Sequence, residues 1–223
     1  MKPHNKITVL IADDHAIVRQ GIASLLSLNE EFEIVAEAEN GRDAVNLTLE
    51  KQPDVVLMDI GMPILNGLEA TRQIKKQSEQ TKVLILSGYE NDEYILQVIQ
   101  SGANGYILKT TYLEDLYTAI RSVYSGQAFF SPSVSKVIVE GYLDRSNNKT
   151  DSQNLAHPLT TREREILQLI AEGHLHQQIA NRLNISIRTV DTHRNNIMKK
   201  LDVHDTATLV TWAIRNGITI LSR

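Results

Sequence analysis

Short apolar runs alternate with stretches of helical spacing throughout residues 1–125. The runs are nearly continuous and often β-branched, as expected of strands buried on both faces. Between them, apolar residues recur every three or four positions, which indicates helices. Five such β/α units predict an α/β domain with a parallel sheet, right-handed crossovers and helices on both faces. The predicted strands are Ile7–Ala12, Phe32–Ala36, Val55–Met58, Val83–Leu86 and Tyr106–Leu108.

The pattern changes twice after residue 125. Residues 126–157 contain the break Ser131-Pro132-Ser133, one possible short amphipathic helix from Val134 to Tyr142, and then a polar stretch. We interpret this segment as a linker between two domains. Residues 158–223 return to helical spacing and predict a small all-α domain.

Four helices are predicted in that second domain. The first opens at a capping box formed by Thr160 and Glu163 and ends before Gly173. The second covers residues 177–183, the third covers residues 187–201, and the fourth covers residues 206–216. A short helix, a tight turn and a longer helix form a helix-turn-helix, a motif that binds DNA.

Charge is distributed unevenly between the two predicted domains. Residues 1–125 carry 11 Lys/Arg against 18 Asp/Glu, whereas residues 158–223 carry 9 against 6. The basic excess of the second domain is compatible with a nucleic-acid partner. The absence of cysteine excludes disulfides and thiolate metal sites. No apolar run approaches the ~20 residues that span a bilayer, and no signal-peptide pattern is visible, so we expect a cytoplasmic protein without a membrane partner.

Charged side chains follow three of the predicted strands. Asp13 and Asp14 follow the first strand, Asp59 follows the third and Lys109 follows the fifth, while Ser87 ends the fourth. The carboxyl ends of parallel strands meet at one edge, which is where open α/β sheets bind ligands. Carboxylates gathered there suit Mg²⁺, and one of them could be a nucleophile that forms an aspartyl-phosphate. The lysine could then pair with a phosphoryl oxygen.

Residues 1–125 resemble the receiver domain of response regulators. The matching motifs are Asp13-Asp14, Leu57-Met58-Asp59-Ile60-Gly61-Met62-Pro63, Ser87-Gly88 and Gly105-Tyr106-Ile107-Leu108-Lys109, in that order. The resemblance implies a (βα)5 flavodoxin-like fold with a parallel sheet of order 2-1-3-4-5. It also implies that a sensor histidine kinase phosphorylates Asp59. Asp14, Asp59 and the backbone carbonyl of Gly61 would bind Mg²⁺, and Asp13 would hold a metal-bound water.

The same resemblance implies a switch. Ser87 and Tyr106 match the family's switch pair, in which the hydroxyl turns toward the phosphoryl group and the aromatic ring follows inward. An ordinary half-buried strand tyrosine is the alternative explanation of Tyr106. Gly61 has no side chain that could position a hydrolytic water, so we hypothesise that the lifetime of the phosphoryl group is set elsewhere, with Tyr89 as the candidate.

Residues 158–223 resemble the LuxR-type helix-turn-helix, which together with the receiver indicates the NarL/FixJ family of response regulators. The matching residues include Leu159-Thr160, Arg162-Glu163, Glu165-Ile166-Leu167, Gly173, Ile179-Ala180, Leu183, Ile185-Ser186, Thr189-Val190, His193 to Met198, Lys199 and Leu201. The longer helix of the motif should enter the major groove of double-stranded DNA with its N-terminal half over the base edges.

Seven residues of the second domain are candidates for DNA contacts. Asp191, Thr192 and Asn195 are the predicted base readers, because such side chains pair with cytosine, touch thymine and pair with adenine, respectively. The candidates for phosphate contacts are Gln177, Arg188, Arg194 and Lys199.

Two positions depart from the family pattern. Asp191 stands where the wider family often has Lys, so generic affinity for DNA should be lower, and the carboxylate could instead select a base. His176-Gln177-Gln178 stands in place of an Asn-Lys-Glu-like stretch, which removes one cation near the DNA backbone.

The family resemblance implies two outputs of phosphorylation, release of the helix-turn-helix and formation of a homodimer that reads two half-sites of an operator. An apolar stripe on the last helix could pair two such units or only close its own core, and both remain open. The stripe consists of Leu209, Val210, Ala213 and Ile214.

Two other functions fit parts of this sequence. Phosphatases with an Asp nucleophile carry a second Asp two residues later, where this chain has Gly61. A DNA-binding regulator independent of phosphorylation usually has a damaged acidic pair or Lys, and here these are intact. We therefore expect a phosphorylation-controlled transcriptional regulator and not an enzyme.

Overall fold

The chain divides into two compact units, Met1–Leu143 and Asp144–Arg223. The structure is a computed structural model that describes residues 6–88, 92–130, 134–135 and 159–219. The division falls inside the segment predicted as a linker, residues 126–157. Of the helix predicted from Val134 to Tyr142, only residues 134 and 135 lie within the described residues, and both are helical.

The first unit is built on a parallel sheet whose strand order is β2-β1-β3-β4-β5-β6. Its first five strands have the order that the resemblance to receiver domains implies. The strands are β1 (Ile7–Ala12), β2 (Phe32–Ala38), β3 (Val55–Asp59), β4 (Lys82–Ser87), β5 (Gly105–Leu108) and β6 (Phe129–Phe130). The intervening helices are α1 (Ala16–Ser27), α2 (Gly41–Lys51), α3 (Gly67–Gln77), α4 (Asp92–Gln100) and α5 (Leu113–Tyr124).

The central strands are buried on both faces, as their continuous apolar runs predict. On one side of the sheet, Val9, Ile11, Leu57 and Leu84 are buried with residues of α1 and α5. β2, which lies at one edge of the sheet, instead has exposed and half-buried positions. Because these strands are parallel, the residues at the carboxyl ends of β1, β3 and β5 lie at the same edge of the sheet.

The sixth strand was not foreseen and lies within the predicted linker. Phe129 and Phe130 pair in parallel with Gly105 and Tyr106 of β5. A two-residue strand is too short to produce a recognisable periodicity. A Cβ on Gly105 would lie 2.8 Å from the Phe129 carbonyl oxygen, so glycine permits the close approach of the two strands.

The second unit consists, in the part that the structure describes, of four helices. They are α6 (Thr161–Ala171), α7 (His176–Leu183), α8 (Ile187–Leu201) and α9 (Thr206–Arg215). The capping box at Thr160 and Glu163 is present, and the Ser186 side chain accepts a hydrogen bond from the Thr189 N–H at the start of α8.

A single apolar core holds these four helices together. Leu167, Ile179, Val190, Ile197 and Leu209 are all buried in it. The chain passes from α7 to α8 through Asn184 in the left-handed conformation, with φ of 51°. Within the described residues no helix has both the length and the apolar character needed to cross a bilayer.

Candidate functional site

Three acidic side chains and one ammonium meet at the carboxyl edge of the sheet, as the ends of the strands predict. The Lys109 Nζ lies 2.7 Å from Asp13 Oδ2 and 3.0 Å from Asp59 Oδ1. Asp14, from the same loop as Asp13, adds the third carboxylate. We call this group, together with the neighbouring His15, the acidic pocket.

The pocket is buried to different depths. Asp13 is fully buried and the side chain of Asp59 is 7% exposed, whereas that of Asp14 is 30% exposed. A ligand from solvent therefore meets Asp14 first and Asp13 last. Since buried carboxylates are costly without compensation, the ammonium of Lys109 is needed to hold Asp13 and Asp59 together.

The electrostatic balance of the pocket favours an added cation. Burial raises the pKa of Asp59, Lys109 lowers it in part, and the charges of Asp13 and Asp14 raise it further. Burial alone would lower the pKa of Lys109, but the carboxylates of Asp59 and Asp13 outweigh it and raise that pKa. One ammonium thus faces three carboxylates, and the negative charge is not fully offset.

The donor set fits Mg²⁺. Oxygen atoms of Asp13, Asp14 and Asp59 lie with a nitrogen of His15 within 4.8 Å of one another. Hard carboxylate oxygens at such spacing are the ligands that Mg²⁺ takes, usually with waters completing the shell. Asp13 Oδ2 is buried and pairs with the Lys109 ammonium at 2.7 Å. Because a carboxylate oxygen can accept two hydrogen bonds, Oδ2 retains capacity to accept one from a metal-bound water.

His15 belongs to the pocket, although the sequence analysis did not select it. Its Nδ1 lies 2.8 Å from Asp14 Oδ1 and 3.4 Å from Asp13 Oδ1. Its backbone N–H also donates a hydrogen bond of 2.8 Å to Asp13 Oδ1. Its place directly after the acidic pair was the signal that could have identified it.

Arg19 is a second residue that the sequence analysis missed. Its guanidinium is buried, and it donates a 2.6 Å hydrogen bond to the backbone carbonyl of Asp13. It also donates to Glu37 at 3.1 Å and to Glu39 at 2.7 Å, at the end of β2. Arg19 therefore ties the loop that carries Asp13 and Asp14 to the neighbouring strand. An arginine within an otherwise apolar helix pattern was the available signal.

The loop after Asp59 is held by close backbone approaches. The N–H groups of Met62 and Gly67 both donate to the carbonyl of Ile60, at 3.1 and 2.9 Å. A Cβ on Gly67 would lie 1.8 Å from the Asp59 carbonyl oxygen, so only glycine allows α3 to begin this close to the pocket. Gly61 lies in this turn and is exposed.

The predicted switch residues are both buried. Ser87 ends β4 and Tyr106 lies in the adjacent strand β5 with about 1% of its surface exposed, so the ring is not half-buried. The backbone of Ser87 accepts a 2.8 Å hydrogen bond from the Lys109 N–H, which links the switch strand to the pocket lysine. Tyr89 lies outside the described residues.

Five of the seven sequence-predicted DNA contacts lie on one exposed side of α8. Val190 and Ile197 of α8 are buried in the core of the second unit, while five residues on the opposite side of the helix are exposed. We call these five, Arg188, Asp191, Thr192, Asn195 and Lys199, the exposed face of α8. Gln177 of α7 is exposed too, whereas Arg194 is half-buried and donates a 2.9 Å hydrogen bond to the Thr206 hydroxyl.

Asp191 has a partner that sequence reasoning did not pair with it. His176 Nδ1, at the first position of α7, lies 2.7 Å from Asp191 Oδ1. The two positions where the chain departs from the family pattern are thus in direct contact. On α9, Leu209 and Ala213 are fully buried in the unit's own core, while Val210 and Ile214 are half-buried.

Comparison with protein families gives one match for each unit. Residues 9–121 match the family described as the response regulator receiver domain, and residues 157–213 match the family described as bacterial regulatory proteins of the luxR family. Together the two matches cover most of the chain.

Relatives of known name are similar over nearly the whole length. The chain is 38% identical to the transcriptional regulatory protein DegU of Brevibacillus brevis, over 96% of this chain and 95% of that one. It is 40% identical to the response regulator protein VraR of Staphylococcus epidermidis, over 95% and 98%. Among solved structures, two RcsB dimers bound to two parallel DNAs match at a TM-score of 0.57 and 28% identity, over 95% and 99%.

Proposed function

The chain belongs to the NarL/FixJ family of two-component response regulators, and from this membership we propose how its own residues carry the regulation. It has a receiver domain and a LuxR-type DNA-binding domain, and its relatives are transcriptional regulators. In our proposal the acidic pocket takes up one phosphoryl group and the exposed face of α8 reads DNA. The proposed domain bounds are those predicted from the sequence. The receiver domain covers residues 1–125, the linker covers residues 126–157, and the DNA-binding domain covers residues 158–223.

Asp59 is the proposed phosphoacceptor. A carboxylate oxygen of Asp59 attacks the phosphorus of a phosphohistidine on a sensor kinase. The new O–P bond forms as the P–N bond breaks, and the electron pair leaves with the imidazole. The observation that carries this proposal is the convergence of Lys109 on both Asp13 and Asp59 at a buried sheet edge. After the transfer, the Lys109 ammonium pairs with a phosphoryl oxygen in place of the Asp59 carboxylate.

Asp13, Asp14, Asp59 and the backbone carbonyl of Gly61 are the proposed residues for Mg²⁺. When bound, Mg²⁺ offsets the repulsion among the carboxylates and neutralises charge on the transferring phosphoryl group. Arg19 and His15 help to orient these ligands, because both donate hydrogen bonds to Asp13.

Ser87 and Tyr106 are the proposed switch. The phosphoryl group adds roughly two negative charges at the sheet edge. The Ser87 hydroxyl donates a hydrogen bond to the new group, and Tyr106 repacks with it. This change favours either release of the DNA-binding domain or a homodimer. Val210 and Ile214 are the remaining apolar positions of the α9 stripe for such a dimer, because the other two already close the core of the unit.

The DNA-binding domain places α8 in the major groove. Asp191, Thr192 and Asn195 are the proposed base readers. The proposed contacts to the phosphates, which position the domain, are Gln177, Arg188, Arg194 and Lys199. Because the proposed product is a phosphorylation-dependent change in DNA binding, the chain is a regulator and not an enzyme acting on an outside substrate.

The test treats the full chain and Asp59→Asn with acetyl phosphate and Mg²⁺. We expect wild type, but not the variant, to gain the mass of one phosphoryl group and to select a consensus from a randomised duplex pool. Omission of Mg²⁺ should prevent the gain in mass. Equal DNA selection with and without the phosphodonor would favour the phosphorylation-independent alternative, and phosphorylation of Asp59→Asn would refute the assignment of the acceptor.

A further inference from the structure

We infer that His176 is a positioning residue: it sets the orientation of the Asp191 carboxylate and so determines the base from which Asp191 accepts a hydrogen bond. This inference rests on the proposed function, in which Asp191 reads a base. The two residues act as one unit formed by both helices of the helix-turn-helix. No other part of the exposed face of α8 has such a contact with α7 among the hydrogen bonds of the described residues.

The contact is short and joins two elements. His176 Nδ1 lies 2.7 Å from Asp191 Oδ1, and the residues are 15 positions apart in the sequence. Because an ionised carboxylate only accepts hydrogen bonds, Nδ1 is the protonated ring nitrogen and donates. The side chains are 39% and 51% exposed, so the pair lies at the surface where a DNA duplex would approach.

The frame beneath the pair is rigid. Ile179 and Ala180, one turn after His176, and Val190, directly before Asp191, are buried in the same core. The turn between the helices is closed by the Ile185 N–H, which donates to the Ala180 carbonyl at 3.0 Å. The backbone of His176 is therefore held in place relative to α8, and its ring can restrict the rotation of the Asp191 carboxylate.

The hydrogen bond from His176 occupies one of the two carboxylate oxygens of Asp191. One oxygen accepts from His176, and Oδ2 remains to accept from a base. In the major groove, the N4 amino group of cytosine is the donor that suits a carboxylate. A freely rotating aspartate at an exposed helix position would pay side-chain entropy on binding, and the bond to His176 removes part of that cost. Asp191, which would otherwise only repel the DNA phosphates, can thus act as a selective hydrogen-bond acceptor when His176 orients it.

Neighbouring polar residues do not offer the same support. The Thr192 hydroxyl donates to the Arg188 carbonyl on its own helix at 2.8 Å, and Arg194 bonds to Thr206. Gln177, next to His176, bonds to Asn181 within α7 at 3.1 Å. The contact from α7 to the predicted base-reading positions is therefore the one made by His176.

The test is a randomised-pool selection with the phosphorylated full chain. The variants are Asp191→Ala, His176→Ala, the double variant and His176→Asn, whose amide nitrogen occupies nearly the position of Nδ1. His174→Ala is the matched control, because His174 pairs at 3.5 Å with Glu172 and not with α8. Thermal unfolding of each variant checks that the domain is folded.

We expect Asp191→Ala and His176→Ala to lose the preference at the same base position, by about tenfold each. The double variant should lose no more than Asp191→Ala alone, because the two residues act on one contact. His176→Asn should keep most of the preference, and His174→Ala should keep all of it.

Two results would overturn the inference while leaving the proposed function intact. In one, His176→Ala keeps the wild-type preferences although Asp191→Ala changes them. In the other, His176→Ala changes affinity for all sequences equally, so that His176 only masks a charge. If Asp191→Ala itself left every preference unchanged, the reading role of Asp191 would fail, and the inference would fail with it.

Discussion

The acidic pocket and the exposed face of α8 are built in opposite ways. In the pocket, Asp13, Asp59 and Lys109 are mostly buried and each depends on the others for compensation of its charge. On the face of α8, the side chains project from one helix into solvent, and the backbone beneath them is held by an apolar core. The pocket therefore depends on tertiary packing, whereas the face depends chiefly on the register of a single helix.

This difference predicts which substitutions should destabilise the protein and which should alter only its binding. A change beneath the pocket should reduce both stability and ligand affinity, because buried polar groups lose partners that compensate their burial. A change on the face of α8 should alter DNA binding with little effect on stability. Four substitutions, in order of decreasing expected effect, test this contrast.

Gly67→Ala should have the largest effect. The new methyl group would lie 1.8 Å from the Asp59 carbonyl oxygen, so α3 or the pocket strand must move. We expect a loss of about 3 kcal/mol in the free energy of unfolding, measured by urea denaturation. Gly21→Ala is the control: it meets nothing within 4 Å in α1 and should be neutral or stabilise by about 0.5–1 kcal/mol. Equal stability of the two variants would contradict the close approach.

Arg19→Met should come next. It leaves the buried carbonyl of Asp13 without the guanidinium that binds it and releases the end of β2. We expect a loss of about 2 kcal/mol in stability and weaker Mg²⁺ binding by calorimetry. Arg121→Met, which breaks the exposed pair of Arg121 with Glu31, should cost at most about 1 kcal/mol and leave Mg²⁺ affinity unchanged. Unchanged Mg²⁺ affinity in Arg19→Met would show that the loop needs no such tie.

Glu163→Gln should have a smaller and pH-dependent effect on the second unit. Burial raises the pKa of Glu163, but hydrogen bonds from Lys200 and Thr160 outweigh burial and hold it below its usual value of 4.5. A lowered carboxyl pKa contributes stability that is present above pH 4.5 and is lost as the pH falls through the folded-state pKa. We expect a loss of about 1 kcal/mol at neutral pH, which disappears in acid.

The single tryptophan, Trp212, packs against the core of that unit and reports its unfolding by fluorescence. Glu172→Gln is a control of opposite sign, because burial raises the pKa of Glu172. The folded state disfavours that charge, so the variant should be at least as stable as wild type at neutral pH. A loss that persists for Glu163→Gln below the folded-state pKa would refute the electrostatic part of the argument.

Lys199→Ala should have the smallest effect on stability, within about 0.5 kcal/mol, because Lys199 is exposed on α8. We expect weaker binding to all DNA sequences and a salt dependence reduced by about one phosphate contact. Titrations at several salt concentrations measure both. A change in base preference without a change in the salt dependence would move Lys199 from the positioning group to the reading group.

Local sequence predicted most of the fold because the central strands are buried on both faces and several helices begin at side-chain caps, such as those of Thr160 and Ser186. The third helix of the second unit has the predicted bounds, Ile187–Leu201, since Ser186 caps it and its apolar residues keep helical spacing. β6 was missed, because two phenylalanines become a strand only when β5 lies beside them. The helix predicted beyond residue 135 lies outside the described residues.

The order of apolar runs along the chain was sufficient to predict which groups reach the functional edge. A parallel sheet sends the carboxyl ends of its strands to one side, and Asp13, Asp59 and Lys109 meet there. The partners that orient the functional side chains come instead from the packing of separate elements. Arg19 reaches Asp13 from a helix, and His176 reaches Asp191 from another helix 15 residues away. Such partners are set by the packing of helices at particular angles and distances, and the spacing of residues along one element does not specify them.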